Sequence, residues 1–192
     1  MPIASPNPVA RRERRARRGF TLLETALAII IVGVGVLAIV SAQQAFHRKN
    51  SWSTHASTAT WLANEIRELT LNLPRHDPVT GKATWGPEGN EVSVEDFDDL
   101  DDFDGELGEG TVFSADLANG PINARRQIIP NMAGWSQTVR VFNVHPNNIT
   151  AEPNELLDGQ TDMMIVEVVV SYRAPNEVEP MEMIRMRWVS PN

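Results

Sequence analysis

The chain has no cysteine. That excludes a disulfide staple and a thiol nucleophile, so whatever holds the fold must be a packed core or some other device. Proline is missing from Pro8 to Pro74, so nothing in that interval breaks a helix. Charge is missing from Thr25 to Ala42, an eighteen-residue run of Ala, Ile, Val, Leu, Gly, Ser and Thr. Bases are missing from Glu91 to Glu109, which carries ten acids. Catalytic signatures are missing too. There is no Gly-x-Ser-x-Gly elbow, and Gly105-Glu106-Leu107-Gly108-Glu109-Gly110 lacks the lysine and following helix of a phosphate loop. His47, His55, His76 and His145 are scattered; the first two would stand roughly 12 Å apart along a helix, too far to share a metal. No catalytic residue is assigned, and the chain is not expected to be an enzyme.

Charge is divided sharply along the chain. Six of the eight residues from Arg11 to Arg18 are arginine, and residues 1–19 carry a net +5. The remaining 173 residues hold 11 Lys and Arg against 24 Asp and Glu, a net −13. An acidic body argues against nucleic acid as a partner, because phosphate binding needs clustered bases. The basic leader precedes the apolar run, which keeps the leader cytoplasmic and places the body across the membrane. Residues 20–42 are 23 in number, roughly 35 Å of helix, enough to span a bilayer. Within this run Gly33 and Gly35 fit close helix packing of the small-residue kind, or a place where the helix can bend. Glu24 stands at the head of the run, where a lone carboxylate is costly unless it reaches the interface or serves a function.

Arg17-Arg18-Gly19-Phe20-Thr21-Leu22-Leu23-Glu24, followed by the apolar run, resembles the prepilin processing motif of type IV pilins and type II secretion pseudopilins. The resemblance implies that a prepilin peptidase cuts after Gly19 and methylates the new amino terminus at Phe20. It also implies that Glu24 sets subunit register by pairing with the Phe20 amine of a neighbouring subunit, since an unpaired charge in an apolar filament core is strongly destabilising. The same stretch resembles a twin-arginine export signal, with Val40-Ser41-Ala42 as a cleavage site before Gln43. The length of the run and Glu24 count against that second option. The missing cysteines depart from the many pilins that carry a disulfide near the C-terminus. The missing proline departs from those that pair a glycine in the run with a later proline.

Beyond the run, Ala45, Trp52, Ala56, Ala59, Ala63, Ile66 and Leu73 recur at three-, four- and seven-residue steps. This predicts an amphipathic continuation over 43–73, ended by Pro74. Residues 74–136 read as an irregular acidic connection. Residues 137–192 read as an antiparallel sheet. Its strands are Thr138 to His145, Met163 to Tyr172 and Met181 to Val189, the last two forming a hairpin. Met164, Val166, Val168, Val170 and Tyr172 should face inward, as should Ile184, Met186 and Trp188, with Arg185 and Arg187 outward. The fold class is α+β and pilin-like: one long N-terminal helix, half transmembrane and half amphipathic, packed on a C-terminal antiparallel sheet.

The acidic run invites two readings. Asp98, Asp99, Asp101, Asp102 and Asp104 offer oxygen ligands to a hard cation, with Ca2+ the natural candidate. The EF-hand template does not fit. With Gly105 as its turn glycine, Asp102 and Asp104 fall in place, but Leu100 and Thr111 take the first and last ligand positions. The other reading is a solvated acidic turn, or a short helical turn tucked in by Phe97, Leu100 and Phe103 at three-residue steps. The segment Asp98 to Gly105 resembles minor pilins of the mannose-sensitive haemagglutinin pilus, which implies a minor subunit. No cofactor besides Ca2+ is expected. Asn148-Ile149-Thr150 has the letters of a glycosylation sequon and is read as a chance match.

These readings converge on a minor structural subunit of a type IV pilus. Its partners would be prepilin peptidase, other pilin subunits, the inner-membrane assembly machinery and the inner membrane itself. It would first be a single-pass inner-membrane protein with its head in the periplasm, then part of an extracellular pilus or periplasmic pseudopilus. A minor pseudopilin of type II secretion is one alternative. A membrane-anchored or secreted calcium-binding protein is the other.

Overall fold

A computed structural model describes residues 21–105, 109–149 and 155–190. The chain divides into two compact units, residues 1–49 and 50–192. Helix α1 runs from Leu22 to Thr70, so its first part belongs to the first unit and its last part to the second. Every described residue of the first unit is exposed.

In the second unit, the helix buries a narrow stripe. Ala59, Leu62, Ala63, Ile66, Leu69 and Thr70 are buried, at the three- and four-residue steps of one helical face. Burial of Leu62 or Ile66 contributes about 1.5–3 kcal/mol each. The two alanines let the helix lie close to the sheet. The pattern predicts Trp52 on this stripe and omits Leu62 and Leu69; Trp52 is 53% exposed and Leu62 fully buried. The stripe begins where the sheet begins to cover it: His55 packs on the rings of Trp135 and Tyr172. The helix ends at Thr70 rather than at Leu73. Pro74 pushes the residue before it out of the helical region, and a hydrogen-bonded turn, Leu73 N to Thr70 O, fills the gap.

The sheet has five antiparallel strands, β1 (Thr111–Ser114), β2 (Trp135–Val144), β3 (Glu155–Leu156), β4 (Met164–Tyr172) and β5 (Met181–Val189). Their order is β1-β2-β4-β5, with β3 pairing the end of β2. The hairpin of β4 and β5 pairs Val168 with Met186 and Val166 with Trp188, which places the expected apolar residues on the core face. On the opposite face Arg185 and Arg187 grip the buried carboxylate of Glu167. Within β2, Gln137 is fully buried and fully used. Its Nε2 donates to Leu62 O (2.9 Å) and Ile122 O (3.1 Å), and its Oε1 accepts from Ile122 N (2.8 Å). That side chain ties helix, sheet and connection together.

The connection between helix and sheet is more ordered than its composition suggests. Thr111–Ser114 is a strand, β1, and not part of an irregular stretch: four residues are too few to display a period. Gly110, at φ +87°, makes that pairing possible, since a Cβ there would lie 2.5 Å from Val139 O. Short 3-10 turns cover Gly81–Ala83, Asp101–Asp104 and Ala115–Leu117.

Candidate functional site

Two regions carry chemistry. The first is the start of α1. Thr21 and Glu24 stand three apart, the spacing of a helix capping box, and the Thr21 hydroxyl accepts from Glu24 N at 3.3 Å. Glu24 thus lies in the first turn, where the helix dipole favours a negative charge. Gly19 and Phe20, the residues expected at the processing site, lie outside the described residues. Behind Glu24 the helix is long and apolar enough to cross a membrane, and its most apolar window has no buried residue. Leu22, Ile29 and Leu37 are 88%, 73% and 68% exposed.

The second region is the acidic turn, and here the solvated-turn expectation is overturned. Asp99, Asp101, Asp102 and Asp104 are buried, and only Asp98 of the five aspartates is exposed. The cause is the three-residue spacing of Phe97, Leu100 and Phe103. Phe103 lies in the 3-10 turn Asp101–Asp104 and Leu100 caps its start, and with Phe97 before them all three apolar side chains enter the core. Phe103 meets the rings of Phe97 and Phe113 edge-on. The acids between them are carried in as well. Gly105 ends the turn at φ +71°, and Leu100 N donates to Pro74 O at 3.0 Å, anchoring the turn to the end of the helix.

The structure gives the five aspartates different tasks. Asp104 is a satisfied structural acceptor, taking Trp85 Nε1 and Val141 N, each at 3.1 Å. Asp101 meets His76 Nδ1 at 3.3 Å. Burial lowers the pKa of His76 and raises that of Asp101 to about 7, so both drift towards neutral forms and the contact is a hydrogen bond more than an ion pair. Asp102 Oδ2 accepts from the main-chain N–H of Asp98 and Asp99 at 2.9 and 3.1 Å, while its Oδ1 is buried without a partner. Asp99 Oδ1 accepts from Asp102 N at 3.3 Å, closing the turn reciprocally.

Two further acids belong here: Glu91, the first acid of the run, and Glu88, which lies outside it. Glu88 opens the turn 88–91, closed by Glu91 N donating to Glu88 O at 2.8 Å; Glu88 Oε1 accepts from Thr80 Oγ1 at 2.6 Å and Oε2 is buried without a partner. Glu91 Oε2 accepts from Glu88 N at 2.9 Å. Only the fold brings Glu88 to the turn, though its glycine-flanked position marks it as a turn residue. Oxygens of Glu88, Asp99 and Asp102 lie within 4.8 Å of one another, as do those of Glu91, Asp98 and Asp102. Burial pushes Asp99 up to about 8, Glu91 to about 7 and Asp102 to about 6, with neighbouring carboxylates adding to each. Such a knot of carboxyls is stable only when it shares protons or a cation.

Residues 14–40 match the family model described as the prokaryotic N-terminal methylation motif, a small part of the 192-residue chain. No curated protein and no solved structure gives a significant match. The motif, followed by a long apolar helix and an α+β head of pilin-like layout, supports a type IV pilin-like protein, a structural subunit rather than an enzyme.

Proposed function

We propose that this chain is a minor structural subunit of a type IV pilus or of the related pseudopilus of type II secretion. One observation carries the reading. The methylation motif runs directly into a helix whose residues are exposed from Thr21 to Thr54, and over residues 25–42 this is an apolar surface that the described residues do not cover. Apolar area of this extent needs lipid or other helices around it. In this account the chain waits in the inner membrane with its leader cytoplasmic and its head in the periplasm. Prepilin peptidase removes residues 1–19 and methylates Phe20. The assembly machinery then transfers the helix from lipid into the filament core.

Glu24 has two roles in sequence. Before assembly it sits in the first turn of α1, where it suits the helix dipole. After assembly it pairs with the Phe20 amine of a neighbour, so that only the correct register leaves no charge unmatched. The resemblance of Asp98 to Gly105 to minor pilins supports the minor rather than the major role. Glu24→Ala tests the register mechanism. The variant is expected to be processed and membrane-inserted but depleted at least roughly tenfold from sheared filaments, since an unpaired buried charge costs several kcal/mol. Wild-type amounts in the sheared fraction, measured by immunoblot, would remove Glu24 from the mechanism.

A further inference from the structure

The carboxylates at the acidic turn are arranged for an ion and not merely crowded. Asp102 is the shared corner of two oxygen triads, one with Glu88 and Asp99 and one with Glu91 and Asp98. Two oxygens bound to one Ca2+ lie at most about 5 Å apart, twice the Ca–O distance of roughly 2.3–2.6 Å. Both triads meet that limit. The buried Asp102 Oδ1 and Glu88 Oε2 accept no N–H or hydroxyl donor, and the group beside both is another carboxyl, that of Glu91. Among the described residues no Lys or Arg forms an ion pair with any of the five. What balances them is a shared proton or a bound cation.

We propose that Glu88, Glu91, Asp98, Asp99 and Asp102 form a binding site for a divalent cation, Ca2+, that ties the turn 88–91 to the acidic turn. The donor set is all oxygen, which suits a hard cation, and its irregular spread over two turns suits Ca2+ better than Mg2+, which demands near-octahedral geometry and keeps its waters. Asp104 lies outside the set because Trp85 and Val141 N occupy its two oxygens; Asp101 belongs to neither triad, its Oδ2 meeting His76 and its Oδ1 buried without a partner. The ion adds a polar tie to segments that the core already holds through Phe97, Leu100 and Phe103. The acidic turn reaches the end of α1 through Leu100 N and reaches β2 through Asp104. In a chain without cysteine, it performs the cross-linking that a disulfide performs elsewhere. The site stands on its own geometry and does not depend on filament assembly.

The test uses the full chain in detergent, stripped with EGTA and titrated with CaCl2 or MgCl2 at neutral pH. Calorimetry should show saturable binding of one Ca2+, and the thermal midpoint should rise by several degrees, with a much smaller shift in MgCl2. Asp102→Asn keeps an acceptor for the main-chain N–H groups but loses the charge; Glu88→Gln, at the less buried rim, keeps an acceptor for Thr80 Oγ1 and loses the charge. Each should weaken Ca2+ binding at least roughly tenfold, while Glu95→Gln, an exposed acid of the same run, leaves it unchanged. If Asp102→Asn fails to fold, Glu88→Gln decides. Absence of heat and of any thermal shift in the unmodified chain overturns the proposal. So does binding that Glu88→Gln leaves intact. Stabilisation by acid alone, with no response to Ca2+, would assign the carboxyls to proton sharing and overturn it equally.

Discussion

The apolar half of α1 and the acidic turn invert the usual distribution of residues in opposite ways. One exposes Ile, Leu and Val along its whole length; the other buries Asp99, Asp101, Asp102 and Asp104. Each inversion is unfavourable for an isolated chain in water, and each marks a partner outside the chain. Around the helix that partner is hydrocarbon or other helices. At the turn it is a shared proton or, as we propose, a cation. The contrast teaches that exposed apolar area and buried charge can be read alike, as a description of what completes the molecule. The last turns of α1 show the ordinary case, where the partner of Leu62 and Ile66 is the chain's own sheet.

Substitutions along α1 sharpen this contrast. Ile66→Ala removes a fully buried side chain and should cost about 2–5 kcal/mol, measured by urea denaturation in detergent. Val34→Arg puts a charge at the middle of the apolar run and should cost about 2.5–3.5 kcal/mol of membrane insertion. Flotation should then find the protein largely lost from membranes; full retention would break the lipid half of the comparison.

Titration probes the acidic half. With chelator present, Asp99 is held up to about 8 and Glu91 and Asp101 to about 7, against ordinary values of 3.8 for Asp and 4.5 for Glu. Asp102, itself raised to about 6, and Glu88, His76, Arg75, Lys82 and Asp162 also act on this cluster, directly or through His76. The folded state therefore binds more protons than the unfolded state between about pH 4 and 8. Its extra stability is complete below the ordinary values and is lost as pH rises through the folded ones. The urea midpoint of the chelated protein should fall from pH 5.5 to pH 8; a midpoint that rises over that range contradicts the burial of these acids. The smallest effect belongs to Ile30→Ala. Ile30 is exposed, so the stability of the head should change by less than about 0.5 kcal/mol. A loss comparable to that of Ile66→Ala would show that the head covers the apolar run after all.

Much of this was legible in the residues because the periods are long there. Eighteen uncharged residues, the alternation of Met164 to Tyr172 and that of Met181 to Val189 each repeat enough to define a face. The stripe on α1 was only half legible. Trp52 falls on it by spacing but lies before the first residues the sheet covers, and Leu62 and Leu69 took the places that matter. Strand β1 was illegible because its four residues are paired by the long β2 and made possible by Gly110. At the acidic turn the decisive cue was Phe97, Leu100 and Phe103, which compete with ten acids for the character of the segment. The apolar residues prevailed because three side chains entering one core outweigh the cost of burying carboxyls that can be protonated or paired. Glu88 could be recruited only by tertiary structure.

The central claim is that the exposed helix is the membrane and filament segment of a processed subunit. Mass spectrometry of the mature protein, taken from membranes of cells that carry its own prepilin peptidase, tests it most directly. The account predicts a chain that begins at N-methylated Phe20 and keeps the whole apolar run. A chain beginning at Gln43, or one that retains residues 1–19, would contradict it.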